Sequence, residues 1–219
     1  MHHASRSVET ELAASRGQHD GDSGSCRGNR AKYCVRICWR RLLDAAFSER
    51  PDRVRHDLFV QAVADGKEWT TANLDADASP SYCYDDAESN CRRYGRLYPW
   101  QSAQRVCQSL GGGWRLPTDD EWRQMAKRYG GVSSDSADKG RTAFTALLSG
   151  GRSGFNAVLG GNRSDGQYAR LEAHGFYWTA SANDPDTAPY YNFGQNGGAL
   201  HRQPQGEKQM AISVRCIRD

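Results

Sequence analysis

Gly113-Trp114-Arg115-Leu116-Pro117-Thr118-Asp119-Asp120-Glu121-Trp122 packs a strand end, a fixed turn and a capped helix start into ten residues. Pro117 fixes its own φ and biases Leu116 toward extended geometry. Thr118, followed three residues later by Glu121, is a capping box: the hydroxyl accepts from the Glu121 amide and the carboxylate reaches back to the Thr118 amide. The spacing therefore predicts a helix starting at Asp119. Asp119, Asp120 and Glu121 crowd three carboxylates at this start, where they suit the helix dipole and the cap without any call for chemistry.

Outward from that point the chain alternates short strands and helices. Downstream, Trp122, Met125, Ala126 and Tyr129 share one helical face before Gly130-Gly131 stops it. Upstream, Pro99 suits a first helical turn, and Trp100, Ala103, Val106, Cys107 and Leu110 make one apolar face before Gly111-Gly112-Gly113. Thr142 to Leu148 predicts a third short helix. Leu58 to Val63, the turn at Asp65-Gly66 and the stretch from Glu68 to Leu74 read as an opening hairpin, which pairs the domain's beginning with its exit strand, Ala211 to Ile217. Phe176 to Ser181 reads as a central strand whose rings fill the core. Gly160-Gly161-Asn162-Arg163 reads as a turn, since a phosphate-cradling loop would want a Lys and a following helix. Two main helices among short strands define an α+β fold.

Composition narrows the function. The 219 residues suffice for one domain of ordinary size plus an extension, and no run of about 18 apolar residues could span a bilayer. Residues 1 to 56 hold 11 Lys or Arg against 7 Asp or Glu, leaving 18 against 19 for the remainder. That near-neutral remainder argues against a nucleic-acid partner, which needs clustered Lys and Arg to release counterions. Residues 1 to 56 read as an extension, disordered through Arg30 and weakly helical from Ala31 to Phe47, with no export signal visible. Three of the seven cysteines lie there, Cys26, Cys34 and Cys38. The other four, Cys83, Cys91, Cys107 and Cys216, allow three pairings. Cys83 and Cys91 bracket a seven-residue loop small enough to staple. Zinc is the competing reading, though short Cys-x2-4-Cys knuckles are lacking in the domain.

Several motifs in order resemble a known family: Gly66-Lys67-Glu68-Trp69-Thr70-Thr71-Ala72-Asn73-Leu74, Tyr82-Cys83-Tyr84-Asp85, Cys91, Tyr94-Gly95-Arg96-Leu97-Tyr98, the ten residues quoted first, and Ser213-Val214-Arg215-Cys216. Arg-Leu-Pro-Thr before acidic residues and Glu-Trp is similar to the formylglycine-generating enzyme superfamily and its relatives with the C-type lectin fold. The whole arrangement, roughly residues 57 to 219, looks like the Fibrobacter succinogenes major paralogous domain. The resemblance implies two main helices around short, mostly antiparallel sheets with long irregular loops. It favours the disulfides Cys83–Cys91 and Cys107–Cys216, and an extracellular or cell-surface location.

The segment from Asn183 to Gln209 is where a ligand surface is expected. Tyr190, Tyr191, Asn192, Gln195, Asn196, His201, Arg202 and Gln203 mix amphipathic area with adaptable hydrogen bonding, the composition of a protein-binding surface. The competing view makes Tyr191, Phe193 and Leu200 ordinary alternating strand residues. No catalytic residue, metal ligand or cofactor is expected. A formylglycine-generating enzyme needs a late pair of copper-binding cysteines, and Cys216 stands alone there. No Gly-x-Ser-x-Gly elbow occurs, and His56, His174 and His201 are scattered. The reading is a non-enzymatic recognition domain for a protein or glycan. Its alternatives are a retroelement-diversified variable receptor, a degenerate oxidase relative and a structural cell-surface module.

Overall fold

The computed structural model describes residues 60–62 and 66–219. The expected disorder and helix of residues 1–56 lie outside the described residues. In chain order the elements are β1 (Val60–Ala62), β2 (Glu68–Thr70), a 3-10 turn (Tyr84–Asp86), α1 (Glu88–Tyr94), α2 (Trp100–Ser109), α3 (Asp119–Arg128), α4 (Arg141–Leu147), β3 (Gly160–Ser164), β4 (Gln167–Leu171), β5 (His174–Trp178), β6 (Thr187–Gly194), β7 (Ala199–Glu207) and β8 (Ile217–Arg218). The fold is α+β.

The capping box forms as its spacing requires. Thr118 Oγ1 accepts from the Glu121 amide at 3.2 Å, and Glu121 Oε2 accepts from the Thr118 amide at 2.8 Å. Arg115, which bridges to Ile217 just before the turn, grips the same carboxylate with both terminal nitrogens at 2.8 and 2.6 Å. Burial alone would raise the Glu121 carboxyl, but the hydrogen bonds from Arg115 and Thr118 outweigh it and hold the carboxyl at about 2. Turn and helix are thus locked together by one acid.

The opening hairpin and the chain's end make a three-stranded antiparallel sheet, β1-β2-β8. The second sheet runs β4-β3-β5-β6-β7, antiparallel except where β3 meets β5. One face of this larger sheet packs on α3 and α4 through Trp122, Met125, Phe144 and Leu147, with Tyr177, Tyr191, Phe193 and Leu200 from the strands. Its other face meets α2 through Phe176, Trp178 and Ala188 against Ala103, Val106 and Cys107. Period-2 alternation on a sheet covered from both sides explains why these strands read as dense aromatic runs.

Cys107 on α2 bonds to Cys216 beside β8 across a sequence separation of 109, and Cys83 bonds to Cys91 across 8. Next to the first bridge lies Arg215, 0 % exposed. Its guanidinium donates to Asn73 Oδ1, Thr70 O, Phe155 O and Asn156 O at 2.7 to 2.8 Å and lies over the Phe155 ring at 4.6 Å. None of these acceptors is charged, and desolvation pulls the group down to about 10. The one arginine therefore sews the opening loop, the 155–156 turn and the last strand together.

Two readings need correction. Gly160-Gly161-Asn162-Arg163 is not a turn but most of β3, and the turn falls at Asp165-Gly166. A side chain at Gly161, where φ is +67°, would meet Ala169 O at 2.5 Å and the Tyr84 ring at 2.8 Å. The glycine serves close strand approach, one of the meanings glycine has inside a strand. The Tyr84–Asn90 loop is also partly helical, since α1 begins at Glu88 and carries Cys91 on its buried side.

Candidate functional site

Strand register decides which residues of β5, β6 and β7 share a face, because directly opposed residues point the same way and successive ones alternate. Phe176 lies opposite Asn192, and Asn192 opposite His201. Trp178 lies opposite Tyr190, and Tyr190 opposite Gln203. Those residues make one face. Tyr177, Tyr191 and Arg202 line up across the strands on the other, as do Phe193 and Leu200.

The eight expected ligand residues therefore divide. Tyr190, Asn192, His201 and Gln203 share the first face and are half-buried, while Gln195 and Asn196 are exposed in the turn between β6 and β7. Tyr191 and Arg202 belong to the second face and leave the site. Tyr191 is 0 % exposed, its ring stacked on Trp122 at 4.8 Å and 15°. Its hydroxyl reaches Asp119 at the start of α3 at 3.1 Å, and burial followed by that neighbouring charge pushes the phenol far up. Arg202 Nε lies 2.7 and 3.0 Å from the two Asp119 carboxylate oxygens, a pair that raises the guanidinium further. Both side chains clamp the sheet to the helix that opens the ten-residue motif. The carboxylate assigned to the helix dipole also has this second employment.

On the first face an aromatic floor supports the polar residues. Tyr190 packs edge-on against Phe176 and Trp178, with centroids 5.8 and 6.0 Å away, and its ring lies over Gly206, where a methyl group would come within 2.4 Å. Burial raises its phenol, offset in part by Arg170. His174 stacks on Phe176 at 5.4 Å and 5°, and its Nδ1 lies 3.0 Å from Asn192 Oδ1. Arg170 sits above the far side of this row, 5.9 Å from the Phe176 ring. His201 Nδ1 is 2.8 Å from Ser133 Oγ, on the strap that borders β7 at Leu200. His174 and Arg170 escaped the sequence reading. His174 does stand two residues before Phe176, which strand alternation places on the same face; Arg170 gives no such signal, since its φ of +64° breaks the alternation of β4.

The arrangement offers planar aromatic area, amides and imidazoles fixed by neighbours. No carboxylate of β5, β6 or β7 stands opposite Tyr190, Asn192 or Gln203, and the acids nearest in sequence have other tasks: Asp184 accepts from the amides of Asp186 and Thr187. Among the described residues one grouping could hold a metal through sulfur and carboxylate, Cys83, Glu88 and Cys91, and its sulfurs are joined to each other. All four described cysteines are paired.

Fold and site together define an α+β domain with a disulfide-clasped carboxyl terminus and a half-open, aromatic-floored sheet face. The chain belongs to the Fibrobacter succinogenes major domain family, whose model matches residues 54–218. Among curated proteins no significant match is found. No helix among the described residues is long and apolar enough to cross a membrane.

Proposed function

We propose that this domain is a non-enzymatic recognition module which presents the part of the β6 and β7 face that α2 leaves uncovered, with the β6–β7 turn, to a protein or glycan outside the cell. The carrying observation is the register that gathers Tyr190, Asn192, His201 and Gln203 on one half-exposed face while their neighbours Tyr191 and Arg202 secure the fold from behind. Rigid aromatic rings with one polar edge supply contact area at low entropic loss, and amides supply directional bonds. Two disulfides suit an oxidising compartment. The resemblance to the C-type lectin fold points the same way, because that fold displays ligands on its C-terminal strands and loops.

The non-enzymatic reading has its own support. The crowded acids Asp119 and Glu121 are bound to Arg202 and Arg115, and the paired cysteines offer no nucleophile. The test is retention of the domain on a printed panel of cell-wall polysaccharides and immobilised surface proteins, comparing wild type with Asn192→Ala/Gln203→Ala. Selective retention lost in the variant supports the reading. No retention by the folded wild type, or retention unchanged in the variant, removes it.

A further inference from the structure

The domain's near-neutral total hides a basic corner. Between residues 127 and 152 the chain carries Lys127, Arg128, Lys139, Arg141 and Arg152 against only Asp135 and Asp138. Both acids are engaged: Asp135 pairs with Arg123 at 3.2 Å, and Asp138 accepts from the amides of Gly140 and Thr142 at 3.1 and 2.7 Å. Lys127 and Arg128 complement the carboxyl end of α3, which accounts for those two. Arg141 and Arg152 have no such explanation. They line one groove of about 480 Å³ beside α4, with Thr142, Thr145, Gly150 and Gly151 between them and no carboxylate in the lining. Neither forms an ion pair among the described residues, and Arg152 rests on the Tyr129 ring at 5.8 Å.

The groove is shallow, and the 149–152 loop packs closely at one side of it. A methyl group at Gly151 would come within 2.4 Å of the Thr145 and Ala146 carbonyl oxygens, so the 149–152 loop lies directly against the end of α4. Two arginines lining one groove that holds no carboxylate can offer forked donors that match the oxygen geometry of a sulfate or phosphate group. No aromatic or large aliphatic side chain lines it, so the groove lacks the apolar wedge with which a peripheral protein enters a bilayer.

We propose that the Arg141–Arg152 groove is a second binding site, separate from the sheet face, for a sulfate or phosphate ester carried on a glycan. The experiment uses the full chain and immobilised dextran sulfate as probe, with vesicles containing phosphatidylglycerol as the membrane arm. The expected result is salt-sensitive retention of wild type and a roughly tenfold loss of affinity in Arg141→Gln/Arg152→Gln, as removal of two charge-assisted contacts implies. Arg92→Gln, which removes an exposed cation of α1 that also lacks an ion pair, should bind like wild type. Arg141→Lys/Arg152→Lys, which keeps charge while losing the fork, should fall between the two, and a melting temperature of Arg141→Gln/Arg152→Gln equal to wild type shows that its loss is not unfolding. An equal loss in Arg92→Gln, no retention of wild type, or capture by the vesicles without capture by dextran sulfate would each overturn the proposal. Because Tyr190 and its neighbours are untouched in these variants, the outcome is independent of the sheet face.

Discussion

Tyr191 gives its hydroxyl to Asp119 and its ring to Trp122, while Tyr190, one residue earlier, stands at the rim of the opposite face. Tyr191→Phe should then lower stability by about 1 kcal/mol through the lost hydrogen bond, and Tyr191→Ala by about 3 to 5 kcal/mol through the cavity. Denaturant unfolding would check both values. Glu121 gives a pH signature. Its carboxyl is held at about 2 in the folded protein, below the ordinary Glu value near 4.5. A depressed acid stabilises above its unfolded value and loses that contribution as pH falls through its folded value. Stability should therefore decline as pH drops from about 5 to 2, and Glu121→Gln should be less stable at neutral pH yet show a shallower decline over that window, as measured by thermal melting.

At the scale of elements, β3 is the most exacting. Gly161→Ala would place a methyl group against Ala169 O at a φ of +67°, so a loss of about 2 kcal/mol or more is expected, readable as a lowered denaturation midpoint. Local grammar made the helices legible. The capping box opens α3 at Asp119, and the apolar spacing of Ala103, Val106 and Cys107 gives the buried side of α2. The opening hairpin and its pairing with the chain's end were equally plain, though β2 stops at Thr70 and β8, Ile217–Arg218, meets the expected exit strand Ala211 to Ile217 only at Ile217. β3 was not, because a Gly-Gly pair signals a turn locally and its reason for being glycine lies across the sheet, in Tyr84 and Ala169. α1 hid behind its short length and a preceding 3-10 turn in which Asp85 and Asp86 take positive φ. In the candidate site the composition was legible and the facing was not. Tyr190-Tyr191 gives no way to choose the inward ring until β7 supplies Arg202 opposite one and Gln203 opposite the other.

For the whole molecule, the two disulfides should contribute unequally. In the chain-entropy account the Cys107–Cys216 bridge, closing a separation of 109, is worth about 4.8 kcal/mol, and Cys83–Cys91, closing 8, about 2.5 kcal/mol. Removing each pair by Cys→Ser and comparing unfolding midpoints should give that order. The larger bridge joins α2 to the last strand, while Arg215 fastens the same strand to the opening loop, so the carboxyl terminus is held from two directions. That clasp leaves β6 and β7 free to divide their residues between a fastened face and a presented one. The most direct measurement sets the two faces side by side: unfolding free energy and retention on the polysaccharide and protein panel, for Asn192→Ala/His201→Ala/Gln203→Ala and for Tyr191→Phe. The outer-face variant should stay folded, at a loss of about 2 kcal/mol for its hydrogen bonds to His174 and Ser133, and lose retention, while Tyr191→Phe should lose about 1 kcal/mol and be retained as before. An outer-face variant that unfolds, or one that keeps its retention while Tyr191→Phe loses it, would contradict the division on which the functional reading rests.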